Sequence, residues 1–520
     1  MVRSARILAV SVAAALLAAC HVSTHGSSMP PPPMMPPHPG QLLQSPPQKT
    51  GSFSPSDLLS MLSGDHDAAQ LLALAFSPVC TVDVYHIEYE TVGGQGEATT
   101  ASGALMVPTG LDPSCQGPRP VVLYAHGTSA EKAFNIANVS GTGNNVGVNS
   151  EGVLLAAVFA AEGYIVVAPN YAGYDTSSLS YHPYLVADQQ AHEMVDSLTA
   201  ARSAFSAVGA DASSKLFVTG YSQGGYVALA TLRAMEATGM SVTAAAPMSG
   251  PYALSAFGDA IFMGQVNGSA VINFTFVSSA YQHAYGNIYT NPTDVFSPQF
   301  ATNIATLLPT TTTVSNLYAQ GMLPQNTIFS STPPAPQYAS ITPATQPANL
   351  AVVFALGFGP DPLVTNAYRL NYLQDAAANP DGGFPTTTTD VPPAHAGNGL
   401  RQDLAKNDLR DFNPSVPVLL CGGDNDPTVF YFNTLLMQDY WAAHAPTAQL
   451  TVLDVDSAVG SNDPYAALKD GFHAAKAAVA AAAVAGGATD GGQAAVLTDY
   501  HAGLVPPFCL FAVKSFFDGH

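Results

Sequence analysis

The sequence predicts an α/β protein built on a mostly parallel, doubly wound sheet with helices on both faces. Three observations carry the prediction. Short apolar runs recur at Pro120–Ala125, Tyr164–Ala168, Leu216–Val218, Thr243–Met248, Val416–Cys421 and Leu450–Val455, as strands buried on both faces require. Helical stretches fall between them at Gly152–Glu162, His192–Val208 and Thr434–Ala445, so strand and helix alternate. The Leu216–Val218 run also passes straight through Gly220-Tyr221-Ser222-Gln223-Gly224 into helix formers from Tyr226 to Met235, a strand–turn–helix join.

Taken in order, the chain opens with Arg3 and Arg6 and an apolar run from Ile7 to Ala19. The run is too short to span a membrane and reads as an export signal. Leu17-Ala18-Ala19-Cys20 resembles a bacterial lipobox, which makes residues 1–19 the leader and Cys20 the candidate lipidated N-terminus. His21 in place of Asp lacks the usual inner-membrane retention signal, so an outer-membrane lipid anchor is expected, with a periplasmic or secreted protein as the alternative. Residues 20–50 carry Pro30–Pro33, Pro36-Pro37 and Pro46-Pro47 with almost no charge, a composition that favours an extended tether. The globular part is expected from residue 51 to 520.

Hydrophobic residues make up 47% of the 520 and charged residues 10%, with a formal net charge of −21. That acidity argues against nucleic acid or an anionic membrane surface as a partner. Setting Cys20 aside, Cys80, Cys115, Cys421 and Cys509 form an even set in an exported chain, and Cys80–Cys115 with Cys421–Cys509 is the favoured pairing. No His/Cys spacing suggests a metal. Thr81–Tyr89 and Ala101–Val107 read as a strand hairpin. Between about residues 251 and 410 the alternation stops, and this stretch reads as an insertion folded over the sheet as a cap. Ala474–Ala485 is an alanine-rich helix.

The candidate chemistry centres on Ser222. In G-x-S-x-G at a sharp strand-to-helix turn, the flanking glycines leave room for a strained serine whose hydroxyl stands free near the positive end of a helix. Such a serine needs a histidine base and a carboxylate to orient it. The carboxylate should follow a late strand, and Gly422-Gly423-Asp424-Asn425-Asp426-Pro427-Thr428-Val429 follows Val416–Cys421. Asp426 is the choice and Asp424 the alternative; either could cap the following helix. Of the histidines beyond that loop, His444 and His473 fall in or at the start of helices and His520 is terminal. His501, on a loop before Pro506-Pro507, is the candidate base. Two backbone N–H donors for an oxyanion are expected from Gln223 and from Thr128 in His126-Gly127-Thr128, with His126 bracing that loop.

His126-Gly127-Thr128, Pro169-Asn170-Tyr171 with Gly173, Tyr181-His182-Pro183-Tyr184-Leu185, Gly220–Gly225, Asn407-Asp408-Leu409, Asp426, and His501 with Pro507-Phe508-Cys509 together resemble the secretory lipase family, over about residues 80–518. The resemblance implies an α/β-hydrolase fold with an inserted cap, a Ser222–His501–Asp426 triad, an acyl-enzyme intermediate, ester or lipid substrates and no cofactor. Three features depart from the family's pattern: Asn170 where Asp is expected, Cys421-Gly422-Gly423 opening the acid loop, and an insertion of about forty residues (Asp456–Thr498) before the base. A serine peptidase on the same fold and a catalytically idle lipoprotein that binds apolar ligands are the rival expectations.

Overall fold

The computed structural model describes residues 38–64, 78–140, 146–381 and 391–520. The expected leader, Cys20 and most of the proline-rich stretch lie outside the described residues.

Among the described residues nine strands form one sheet: β1 (Gln48–Phe53), β2 (Thr81–Val92), β3 (Ala98–Thr109), β4 (Arg119–Ala125), β5 (Ile165–Pro169), β6 (Ala212–Tyr221), β7 (Ala244–Met248), β8 (Val418–Gly422) and β9 (Leu450–Asp454). Their spatial order is β1-β2-β3-β5-β4-β6-β7-β8-β9. β1, β2, β3 and β5 pair antiparallel, and from β5 to β9 every pair is parallel. The parallel strands are the apolar runs of the sequence, and the side chains of Val121–Ala125, Ile165–Ala168 and Leu216–Val218 are buried. The helices that cover them include α1 (Ala187–Val208), α2 (Gln223–Ala237) and, at the C-terminus, α7 (Val505–Asp518).

The sheet starts earlier in the chain than the composition suggested. The backbone at Gly40 and Leu43 donates to Glu90 and Glu88, and β1 begins at Gln48. Residues 40–50 therefore continue the edge of the sheet, because the prolines leave enough free backbone N–H groups between them to pair with β2. Helix ends moved too. The helix expected at Gly152–Glu162 runs Val146–Val158 with a separate turn at Ala160–Glu162, and α1 begins five residues before His192. His501 is on a π-helical turn, Tyr500–Leu504, that leads into α7 rather than on an open loop. Proline at the start of α7 needs no N–H donor there, so Pro506-Pro507 opened the helix instead of ending a loop.

Between β7 and β8 the chain builds α3 (Leu254–Phe262), α4 (Ala270–Tyr285), a helix at Asn366–Ala378 and α5 (Gly399–Lys406). A buried guanidinium ties them. Arg401 makes paired bonds to Asp259 of α3 at 2.9 and 2.8 Å and a third to Asp375 at 2.8 Å. After β9 comes the second insertion, with α6 (Ala466–Ala485) and a short helix at Gln493–Asp499. α6 is longer than its alanine run suggested and includes His473; Leu468 and Phe472 are its buried residues. Both expected disulfides form, Cys80–Cys115 and Cys421–Cys509. The second ties β8 to α7, the two elements that bracket Asp426 and His501.

Candidate active site

Ser222 stands between β6 and α2 with φ 58° and ψ −121°, a backbone conformation costly for a residue with a side chain. The sequence pays for it with glycine. A Cβ at Gly220 would lie 2.5 Å from the Ala125 carbonyl, and one at Gly224 only 1.9 Å from it, so larger residues at either position would push β4 away from the turn. The Ser222 N–H is fixed by the Met248 carbonyl at 3.0 Å.

Three side chains meet here in one hydrogen-bonded chain. His501 Nε2 is 2.8 Å from Ser222 Oγ, and His501 Nδ1 is 2.6 Å from Asp426 Oδ2. Asp426 is 1% exposed and His501 9%, so both are screened from bulk water. The other Asp426 oxygen accepts the N–H groups of Thr428 and Val429 at 2.8 and 3.0 Å, which fixes the carboxylate plane. Asp424, the alternative acid, is exposed, and its N–H binds Asp454 instead. On the opposite side Tyr221 Oη donates to the His501 carbonyl at 2.6 Å. A π-helical turn leaves that carbonyl without its usual helical donor, and the tyrosine inside G-x-S-x-G supplies one.

Gln223, the first residue of α2, has no intrahelical acceptor for its N–H and sits beside the serine. The His126-Gly127-Thr128 loop approaches from β4: a Cβ at Gly127 would lie 3.8 Å from the Ser222 Cβ. His126 is stacked between Phe134 and Tyr171, with its ring nitrogens 2.6 Å from the Gly127 carbonyl and 3.1 Å from that of Asn170. Burial pushes its pKa down to about 4, against the partial pull of those carbonyls. It braces the loop. Asn170, where the resembled family leads one to expect Asp, is wholly buried. It donates to Ser102 Oγ and accepts the Ile136 N–H, so its neutral side chain meets both a donor and an acceptor.

Two supporting residues escaped the sequence reading. His182, quoted there only as part of a resemblance, accepts from the Gln223 side-chain amide at 2.7 Å, while its Nδ1–H faces the Ala172 carbonyl. Burial holds its pKa down to about 3, so it stays a neutral acceptor. Glu151 accepts from Tyr124 Oη at 2.7 Å and from the Gly127 N–H at 3.2 Å, and burial raises its pKa. Nothing in the local sequence singles out Glu151, because its partners lie more than twenty residues away.

Ser222 and Gln223 form part of the floor of a cavity lined mainly by apolar side chains. Most of its wall comes from the first insertion, with Leu254, Phe257 and Phe262 of α3, Phe274 of α4 and Leu404 of α5, and Tyr184, Leu185 and Val429 complete it. None of its lining side chains is charged. Among the described residues no cluster of His, Cys, Asp and Glu suits a metal ion.

A mostly parallel sheet, a strained serine between strand and helix, and an acid and a histidine after later strands define the α/β-hydrolase fold. The chain is similar over 92% of its length, and 98% of the other's, to the rice cell wall degrading esterase LipA from Xanthomonas oryzae, with 25% identity and a TM-score of 0.64. A putative hydrolase from Legionella pneumophila matches the same shares of both chains at 18% identity and a TM-score of 0.61. The prolyl oligopeptidase family (Peptidase_S9) matches residues 154–271, the segment that holds β5, α1, the serine turn and β7. No curated protein matches the chain significantly.

Proposed function

We propose that the protein is a serine carboxylic ester hydrolase, an esterase with lipase capacity, and that Ser222, His501 and Asp426 are its catalytic residues. The observation that carries this reading is the Asp426–His501–Ser222 hydrogen-bonded chain opening onto an uncharged, apolar cavity. His501 Nε2 takes the Ser222 proton as Oγ attacks the ester carbonyl, and Asp426 stabilises the imidazolium. The N–H groups of Gln223 and Thr128 hold the oxyanion. The tetrahedral adduct collapses with the C–O bond breaking, His501 protonates the departing alcohol, and water then releases the acid by the same route. The likeness to an esterase over nearly the full length of both chains supports the substrate class.

Hydrolysis of p-nitrophenyl esters from acetyl to palmitoyl, with Ser222→Ala beside the wild type, tests it. Activity that vanishes in Ser222→Ala supports the assignment; equal inertness of both proteins on every ester sinks it. A serine peptidase is the second reading, favoured by the prolyl oligopeptidase match over residues 154–271. The cavity offers no charged side chain for a peptide amine or carboxylate, so cleavage of peptide amides faster than esters would be needed to prefer it. We also infer that the chain is exported, since both disulfides form and such bonds persist in oxidising compartments. Lipid attachment at Cys20 predicts incorporation of labelled palmitate that Cys20→Ala abolishes.

A further inference from the structure

The second insertion reaches the active-site loops through one phenol. Tyr500 precedes His501, and Asn425 precedes Asp426. Tyr500 Oη accepts the Asn425 N–H at 3.2 Å and donates to Asp456 Oδ2 at 2.7 Å. The same Asp456 oxygen accepts from the Asn425 side-chain amide at 2.8 Å. Its other oxygen pairs with Lys476 of α6, and His473 Nε2 lies 3.5 Å from it. Tyr500 and the Asp456 side chain are each 1% exposed. Space for the phenol comes from Gly423, where a Cβ would stand 2.5 Å from Tyr500 Oη. The acid loop and the base turn are therefore joined twice, by Asp426–His501 and by the residue before each.

We infer that Tyr500, anchored by Asp456 and through it by Lys476 on α6, is a positioning residue that sets the register of His501 against Asp426. The inference rests on the serine-hydrolase reading above. Catalytic groups must be held within about 0.5 Å of their working geometry, and a misplacement of about 1 Å can cost on the order of a hundredfold in rate. Asp426 sits in a loop and His501 in an irregular turn, so no regular element spans the two. The insertion supplies a further constraint beside those of Tyr221 and the Cys421–Cys509 bond, with α6 packed on α7 through Phe472, whose ring meets Phe508 and Tyr500 edge-on.

Tyr500→Phe removes the hydroxyl and keeps the ring. The expected result is a fall in kcat of about tenfold with KM within about twofold of wild type. The rate of Ser222 labelling by a small fluorophosphonate, which reads nucleophile activation without ester binding, falls in parallel. Asp456→Asn lowers kcat the same way, and the double variant loses no more than the worse single one, because both act through one link. Lys476→Met, on the half-exposed side of the network, loses about threefold and covers the case in which Tyr500→Phe does not fold. Wild-type kcat and labelling rates in folded Tyr500→Phe, or in Lys476→Met if only that variant folds, overturn the inference while Ser222→Ala remains inactive. Full activity in Ser222→Ala overturns the serine-hydrolase reading and this inference with it.

Discussion

Two aspartates two positions apart could have served His501, and their surroundings separate them. Asp426 turns one oxygen to the imidazole and the other to two backbone N–H groups, whereas Asp424 faces solvent. Asp426→Asn is expected to lower kcat by about 10⁴ through loss of the correct imidazole tautomer, and Asp424→Asn to leave kcat within about twofold; steady-state kinetics on one chromogenic ester compares them. His182 works at one remove, holding the side chain of Gln223, the residue proposed above to supply an oxyanion donor. Because burial keeps it neutral, it adds no inflection to the activity–pH profile above about pH 4. His182→Phe leaves the Gln223 amide buried without its acceptor. The outcome expected is a loss of about 1–3 kcal/mol of stability, the cost of an unsatisfied buried donor, read as a shift in denaturant midpoint.

At the scale of elements, the first insertion is fastened by charge as well as by apolar packing. Arg401, with a fully buried side chain, pairs with Asp259, whose side chain is 2% exposed. Desolvation pushes the Asp259 carboxyl up despite that pairing. Removing one partner strands the other in a dry interior, so Arg401→Met should destabilise the fold by about 3–5 kcal/mol, read as a shift in denaturant midpoint. The Cys421–Cys509 bond ties β8 to α7 and so closes a loop that contains both Asp426 and His501. Replacing both cysteines by alanine should cost about 2–5 kcal/mol of stability and lower kcat, whereas the Cys80–Cys115 pair, whose loop encloses none of Ser222, Asp426 and His501, should affect stability without a comparable effect on kcat.

For the whole molecule, two carboxyls buried between α1 and the sheet set a pH dependence of stability. Burial raises Glu193 to about 7 and Asp196 to about 6, partly offset at Asp196 by the hydrogen bond from Thr91 at 2.7 Å. Acids whose folded pKa exceeds the unfolded value bind protons more tightly in the fold. Their contribution is fully present below about pH 4, the unfolded range, and is lost as pH rises through about 6–7. Glu193→Gln removes one of the two charges. Its melting temperature should match wild type at pH 4 and exceed it by several degrees at pH 8, as thermal unfolding at the two pH values would register.

What the sequence determined by itself was what local chemistry dictates. Val- and Leu-rich runs buried on both faces read as parallel strands, glycines around Ser222 could only mean a crowded turn, and the alternation of strand and helix left one family of topologies. The Ser222, Asp426 and His501 candidates followed from their positions relative to those strands, and the structure brings all three within hydrogen-bonding distance. Tertiary structure alone decided the rest, because it depends on partners far apart in the chain. It separated Asp426 from Asp424 by burial, joined residues 40–50 to the sheet through backbone bonds that no side-chain pattern encodes, and gave roles to Glu151, His182 and Tyr500. Each of these side chains is ordinary in its own stretch of sequence. Its meaning comes from a hydrogen bond closed across twenty to seventy-five residues, and such a bond exists only once the sheet has brought its ends together.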